Sequence, residues 1–179
     1  MVSQMAANVV GCEVTGIAGG AEKCARILEF GCHQSIDYKD GDLASKLDAA
    51  MPDGIDLYFD NVGGSTLEAS LERLRMNARV VLCGSISEYV GNEPFKLSNY
   101  TRLRATDSRM QGFFVYNHLD RWHAVMDELA TWIQDGQLKP IQDVITGFQL
   151  MPKALARLYH GRNVGVQCCS VRGEPTQWL

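Results

Sequence analysis

The chain has no surplus of positive charge, no cysteine framework and no long apolar run. Lys and Arg number 17 against 21 Asp and Glu, for a net charge of −4. With no basic cluster, nucleic acid is not expected as a partner. No apolar run approaches bilayer-spanning length, so no membrane role is expected. Met1–Asn8 lacks the basic segment and apolar core of a signal peptide, which makes the cytoplasm the expected compartment. Six cysteines are present, but no C-x-x-C. Cys32 and His33 are adjacent rather than spaced as a zinc pair, and the four histidines are scattered, so no metal site is expected. The adjacent Cys168 and Cys169 read as strand filler. No repeat or low-complexity stretch occurs.

What is present is an alternation of helical and strand patterns. A chain of 179 residues, 46% hydrophobic, can bury a sizeable core. Val2, Met5, Ala6 and Val9 share a helical face that ends at Gly11. Cys12 to Ala18 is a β-rich run, and Ala21 to Phe30 a helix closed by Gly31. A strand is predicted over 35–38 and a helix over 42–50. The run 55–60 is nearly all apolar, as a strand covered on both faces should be. Ser65-Thr-Leu-Glu68 reads as a capping box opening a helix through Leu67, Leu71 and Leu74. Further strands are predicted over 79–83 and 110–116, with a loop and one helical turn at 86–105 between them. The longest helix is predicted over 118–135. A strand over 141–148, a helix from Pro152 to Gly161 and a last strand over 164–171 complete the pattern.

Strands separated by helices of this length imply an α/β fold: a doubly wound parallel sheet with right-handed crossovers. Ligands of such sheets collect at the carboxyl ends of the strands. Gly19-Gly20, Asp60-Asn61, Cys83-Gly84-Ser85 and Phe114-Val115 all fall at such ends.

Four segments carry a family resemblance: Gly-Ile-Ala-Gly-Gly-Ala-Glu-Lys-Cys (16–24), Pro-Asp-Gly-Ile-Asp-Leu-Tyr-Phe-Asp-Asn-Val-Gly-Gly (52–64), Arg-Val-Val-Leu-Cys-Gly-Ser-Ile-Ser-Glu-Tyr (79–89) and Met-Gln-Gly-Phe-Phe-Val (110–115). In this order and spacing they resemble the medium-chain dehydrogenase/reductases. The similarity is to the zinc-independent branch of prostaglandin reductases, alkenal double-bond reductases and curcumin reductase. It implies a Rossmann-type fold and NADPH-dependent reduction of a carbon–carbon double bond conjugated to a carbonyl.

The resemblance also assigns residues. Gly19 and Gly20 would leave room for the adenosine ribose. Ala18 puts no carboxylate at that strand end, and Lys23 would meet a 2′-phosphate, so NADP is favoured over NAD. Lys23 alone reads equally as a solvated helix lysine. Tyr38 would close over the same phosphate, or pack at a strand end. Asn61 would contact the cofactor, or cap its own turn. Cys83, Gly84, Ser85, Ile86 and Ser87 would line the cofactor. Phe113, Phe114 and Val115 match the strand that holds the nicotinamide, though a core strand would look the same, and Asn163 matches a cofactor-side asparagine, or ends a helix turn. Tyr89 is the catalytic candidate, or an exposed loop tyrosine: as the former, its phenol would hydrogen-bond the developing enolate or relay a proton.

Against the family pattern the sequence begins one β-element late. The expected sheet lacks the family's first strand and glycine loop, with 1–137 as an incomplete NADP-binding domain and 138–179 as a C-terminal segment. Cys12–Ala18 and Ile55–Asp60 are then expected to flank an unfilled slot. Either a second copy, hence a homo-oligomer, or the tail 164–171 is expected to fill it. The expected activity is the family's NADPH-dependent reduction of a small conjugated carbonyl. The alternatives are an inactive nucleotide-binding or scaffold remnant, or a subunit needing a partner chain.

Overall fold

The computed structural model describes residues 1–89 and 94–171. Residues 90–93 of the expected loop and 172–179 of the C-terminal segment lie outside the described residues. A short α1 (Val2–Gln4) runs into a π-helical stretch, Met5–Val10, that Gly11 closes at φ 79°. Then come β1 (Thr15–Ala18), α2 (Ala21–Glu29), β2 (Gln34–Asp37) and α3 (Leu43–Ala50). Asp42 caps α3 by accepting the Ala44 N–H at 3.0 Å and the Ser45 hydroxyl at 2.6 Å. These hydrogen bonds, the hydroxyl's first, hold the Asp42 carboxyl below its ordinary range.

Next are β3 (Ile55–Asp60), α4 (Gly64–Leu71), β4 (Leu74–Leu82), α5 (Arg102–Ala105) and β5 (Arg109–Gly112). The chain continues through α6 (Trp122–Gln134), β6 (Gln142–Thr146), α7 (Met151–Tyr159) and β7 (Val166–Ser170). Every strand pairing is parallel: β1 with β2, β3 with β4, β4 with β5, and β6 with β7. With a helix in each β1–β2, β3–β4, β4–β5 and β6–β7 connection, this is the expected α/β architecture.

The sheet is divided where the sequence places the slot. Among the described residues, β1 pairs only with β2, and β3 only with β4. The tail does not fill the gap: Val166–Ser170 pairs with β6, Val166 opposite Gln142. The halves are tied by α3 against α4 and by Arg73, whose guanidinium pairs with Asp48 at 3.0 Å and donates to the Met51 carbonyl at 3.1 Å. Gln4, buried in α1, exchanges two hydrogen bonds with the Lys139 backbone, at 3.1 and 2.7 Å.

The main core joins Ile55, Leu67, Leu71, Leu74, Ala78 and Val80. Three local expectations change here. Leu74 is not helical; it opens β4 opposite Ile55. The capping box does not form: Gly63, at φ 69°, is the cap, and Glu68 instead accepts the Ser98 N–H and hydroxyl at 3.0 and 2.6 Å. The strand predicted over 110–116 ends at Gly112, and residues 115–121 turn as a tight 3-10 stretch kinked at His118.

Candidate active site

The carboxyl ends of β3 and β4 enclose a crevice of about 270 Å³, lined by Asp60, Gly63, Leu67, Leu82, Cys83, Gly84, Ser85 and Glu88. Asp60 builds it. This side chain is 1% exposed, and its carboxylate accepts the Val62 and Gly63 N–H groups at 2.9 and 3.0 Å and the Tyr58 hydroxyl at 3.3 Å. Its carbonyl accepts Cys83 N–H at 2.8 Å and Gly84 N–H at 3.1 Å. One residue thus holds the turn after β3 and the loop after β4. Burial, then the Asp60 charge, pushes the Tyr58 phenol above its ordinary pKa, so it stays a neutral donor.

The loop is zipped further onto the turn. Ile86 N–H donates to the Asn61 carbonyl at 3.1 Å, and the Ser87 N–H and hydroxyl donate to the Val62 carbonyl at 3.0 and 2.6 Å. Tyr89, 64% exposed, folds its hydroxyl back to accept the Ser85 N–H at 3.4 Å. A Cβ placed on Gly84 would lie 3.5 Å from that hydroxyl oxygen and 3.4 Å from the Asn61 amide oxygen. Phe113 N–H donates to the Leu82 carbonyl at 2.8 Å and so reaches the same edge. Its ring stacks on His118 at 5.0 Å, while Phe114 contacts Tyr116 at 5.2 Å. Val115 lies in the 3-10 stretch.

A second group forms at the ends of β1 and β2. Gly20 has φ 96°, a conformation suited to glycine, and a Cβ there would meet nothing within 4 Å. Its N–H donates to Asp37 Oδ1 at 2.8 Å, and the same oxygen accepts Lys39 N–H at 2.9 Å. These two hydrogen bonds hold the Asp37 carboxyl below its ordinary range. A Cβ on Gly19 would lie 2.8 Å from both the Lys39 Cε and the Tyr38 ring, so both side chains lie on that glycine. The Lys23 ammonium lies 3.5 Å from a Cβ placed on Gly161. This brings the turn carrying Asn163 toward α2, where the Asn163 amide donates to the Gly165 carbonyl at 2.7 Å.

The structure therefore brings Asn61, Cys83–Ser87, Tyr89 and Phe113 together on one half-sheet. Gly19, Gly20, Lys23 and Tyr38 gather on the other. Sequence reasoning missed Asp37, Lys39 and Glu88, and placed Asp60 at a strand end without giving it a role. Ala18 indeed leaves the β1 end free of a carboxylate, but Asp37 brings one in from the neighbouring strand end. The run Asp37-Tyr38-Lys39-Asp40 is a signal that could have drawn notice, because residues at the end of one parallel strand face the turn after the next.

A family model described as zinc-binding dehydrogenase matches residues 1–131. The chain is 35% identical over 170 residues to (+)-pulegone reductase of Mentha piperita, covering 94% of this chain and 50% of that enzyme. It is also 35% identical to the NADP(+)-dependent 2-alkenal reductase of Nicotiana tabacum, with the same coverage. The crystal structure of CurA in complex with NADPH from Vibrio vulnificus superposes with a TM-score of 0.87 at 30% identity, over 97% of this chain and 53% of that one. The chain spans about half the length of the curated relatives it matches. Among the described residues, no group of three or more His, Cys, Asp and Glu side chains comes together, so these residues do not fit a zinc ion. The four segments, the parallel strand order and these similarities lead to one assignment: the chain belongs to the zinc-binding dehydrogenase family, within the medium-chain dehydrogenase/reductases.

Proposed function

We propose that the chain binds NADPH and serves the reduction of a carbon–carbon double bond conjugated to a carbonyl. The observation that carries this reading is that a glycine turn with Tyr38 and Lys39 on it ends one parallel strand pair, and a crevice with Gly84 and Tyr89 ends the other. The fit to a dinucleotide rests on Gly20, above which the space is open, and on Lys23 and Lys39, which form no ion pair within 4 Å among the described residues. In this reading residues 1–137 are an incomplete NADP-binding domain and 138–179 the C-terminal segment that follows it.

When bound, the reduced nicotinamide supplies a hydride for the β-carbon of the substrate. The chain's own residues do the rest. Gly19, Gly20, Lys23 and Tyr38 hold the adenosine end, with Asn163 on the adjoining turn. Asn61 and the backbone of Cys83, Gly84, Ser85, Ile86 and Ser87 orient the middle of the cofactor. Phe113, Phe114 and Val115 flank the nicotinamide. Tyr89 donates a hydrogen bond to the carbonyl oxygen as negative charge develops there.

Titration calorimetry with NADPH and NADH tests the binding, and the loss of 340 nm absorbance with a 2-alkenal tests the chemistry. Micromolar NADPH binding and alkenal-dependent oxidation are expected. An absence of heat with either nucleotide overturns the reading and leaves a scaffold.

The open edges of β1 and β3 favour a second reading, in which turnover requires an added strand from a partner. A homo-oligomer supplies one, and light scattering on the eluting chain tests it: a clean monomer overturns that version.

A further inference from the structure

We infer that Glu88 makes the crevice selective by charge, admitting uncharged conjugated carbonyls and turning away those that carry a carboxylate. The inference rests on the reading above in seating the carbonyl compound beside Tyr89. Three observations carry it. First, the Glu88 carboxylate stands in the crevice wall: a Cβ placed on Gly63 would lie 2.7 Å from Glu88 Oε1, and both residues line the space. Second, the position is built. Glu88 ends the tight turn Ile86–Glu88, where its N–H donates to the Ser85 carbonyl at 2.9 Å. The next residue is Tyr89, whose hydroxyl lies 3.5 Å from a Cβ placed on Gly84, another lining residue. One turn thus brings a carboxylate and a phenol to the same crevice. Third, the charge is unanswered. Among the described residues the Glu88 side chain forms no hydrogen bond and no ion pair.

The lining holds two carboxylates, Asp60 and Glu88, and no lysine or arginine. The two are not equivalent. Asp60 is met by the Val62 and Gly63 N–H groups and by the Tyr58 hydroxyl. Glu88 has beside it the amino end of α4, which Gly63 caps. That end favours a negative charge and helps to keep the carboxylate over Gly63. An anion entering the crevice meets this carboxylate with no cation to offset it. In a half-enclosed space a few ångströms across, such repulsion disfavours the anion by about tenfold. A neutral ligand of the same shape meets no such penalty, so the discrimination comes from an element that repels the wrong ligand.

The test uses two ketones of one shape, the para-carboxylate of benzylideneacetone and its para-carboxamide. Their binding is measured by calorimetry on the whole chain with NADP+ present, so that no turnover occurs. The wild-type chain is expected to bind the carboxamide about tenfold more tightly, with the gap narrowing as salt is added. Glu88→Gln is expected to bring the carboxylate up to the carboxamide and leave the carboxamide unchanged. Glu88→Asp, which keeps the charge, is expected to retain most of the gap. Both variants are expected to fold, because Glu88 has no partner to lose. Equal binding of the two ketones by the wild-type chain, a gap that survives Glu88→Gln, or no binding of either ketone overturns the inference. Equal binding together with NADPH oxidation by a 2-alkenal sinks the inference alone. A gap that Glu88→Gln removes, in a chain that never oxidises NADPH with a 2-alkenal, sinks the reductase reading alone.

Discussion

The Gly20 N–H, at the end of β1, donates to the Asp37 carboxylate, at the end of β2, at 2.8 Å. One side chain thereby sets the distance between a glycine turn and the residues that lie on it. The carboxylate is held below its ordinary pKa chiefly by the Gly20 and Lys39 N–H groups. A depressed carboxylate stabilises the fold above its unfolded pKa, about 3.9, and loses that effect as pH falls through the folded value. The brace is therefore complete at neutral pH. The Gly20 and Lys39 amide resonances are expected to titrate together, with a midpoint below that of an ordinary aspartate. A midpoint at the ordinary value would mean that the brace is absent in solution.

Asp60→Ala tests the second brace. It leaves the buried Gly63 N–H and the part-buried Val62 N–H without their acceptor. Each orphaned donor costs roughly 1–3 kcal/mol, so a loss of about 3 kcal/mol is expected from urea unfolding. Asp60→Asn keeps one acceptor oxygen and is expected to lose less. Equal losses would show that the acceptor is not what matters there.

Leu71 and Leu57 offer a contrast in burial. Leu71 is 0% exposed and packs in the main core, whereas Leu57, on β3, is 55% exposed. Leu71→Ala is expected to cost about 2–5 kcal/mol, cavity included. Leu57→Ala is expected to change stability by under about 1 kcal/mol. A large loss at Leu57 would mean that β3 is covered in solution by something that fills the slot beside it.

How much of this could be read beforehand depended on how local the deciding contacts are. Ile55–Asp60 is a largely apolar run with turn chemistry before it, and its bounds came out unchanged. Leu74 was not so legible. Leu67, Leu71 and Leu74 follow helical spacing, and nothing local says that the helix stops at Leu71. The strand that Leu74 opens is irregular: between its pairs with Ile55 and Leu57 the register advances from Leu74 to Arg79. Asn77, at φ 63° within that irregularity, gives its N–H to the Thr106 carbonyl at 2.7 Å, a contact far along the chain.

The same reasoning separates the site residues. Glycines at strand ends announce themselves by sequence. Asp37 and Lys39 act across strands, which only their place at a parallel strand end hints at, and Glu88 reaches Gly63 across a loop. Glu68 shows the reverse error. Its position suits a capping box, but Ser98, thirty residues on, takes the carboxylate first. Local chemistry proposed a partner and tertiary packing supplied a better one.

Tyr89→Phe separates catalysis from support at the crevice. The hydroxyl accepts the Ser85 N–H at 3.4 Å, a long hydrogen bond on a 64% exposed side chain. Such a weak tether leaves the oxygen free to turn toward a bound carbonyl. Removing it keeps the ring and its packing but deletes the donor. Loss of a positioned proton donor lowers kcat about 10²-fold, while NADPH affinity and melting temperature are expected to hold. The pattern matters more than the size of the loss. A variant with normal kcat and a lowered melting temperature would assign the hydroxyl to propping Ser85, and the phenol would leave the chemistry to another group.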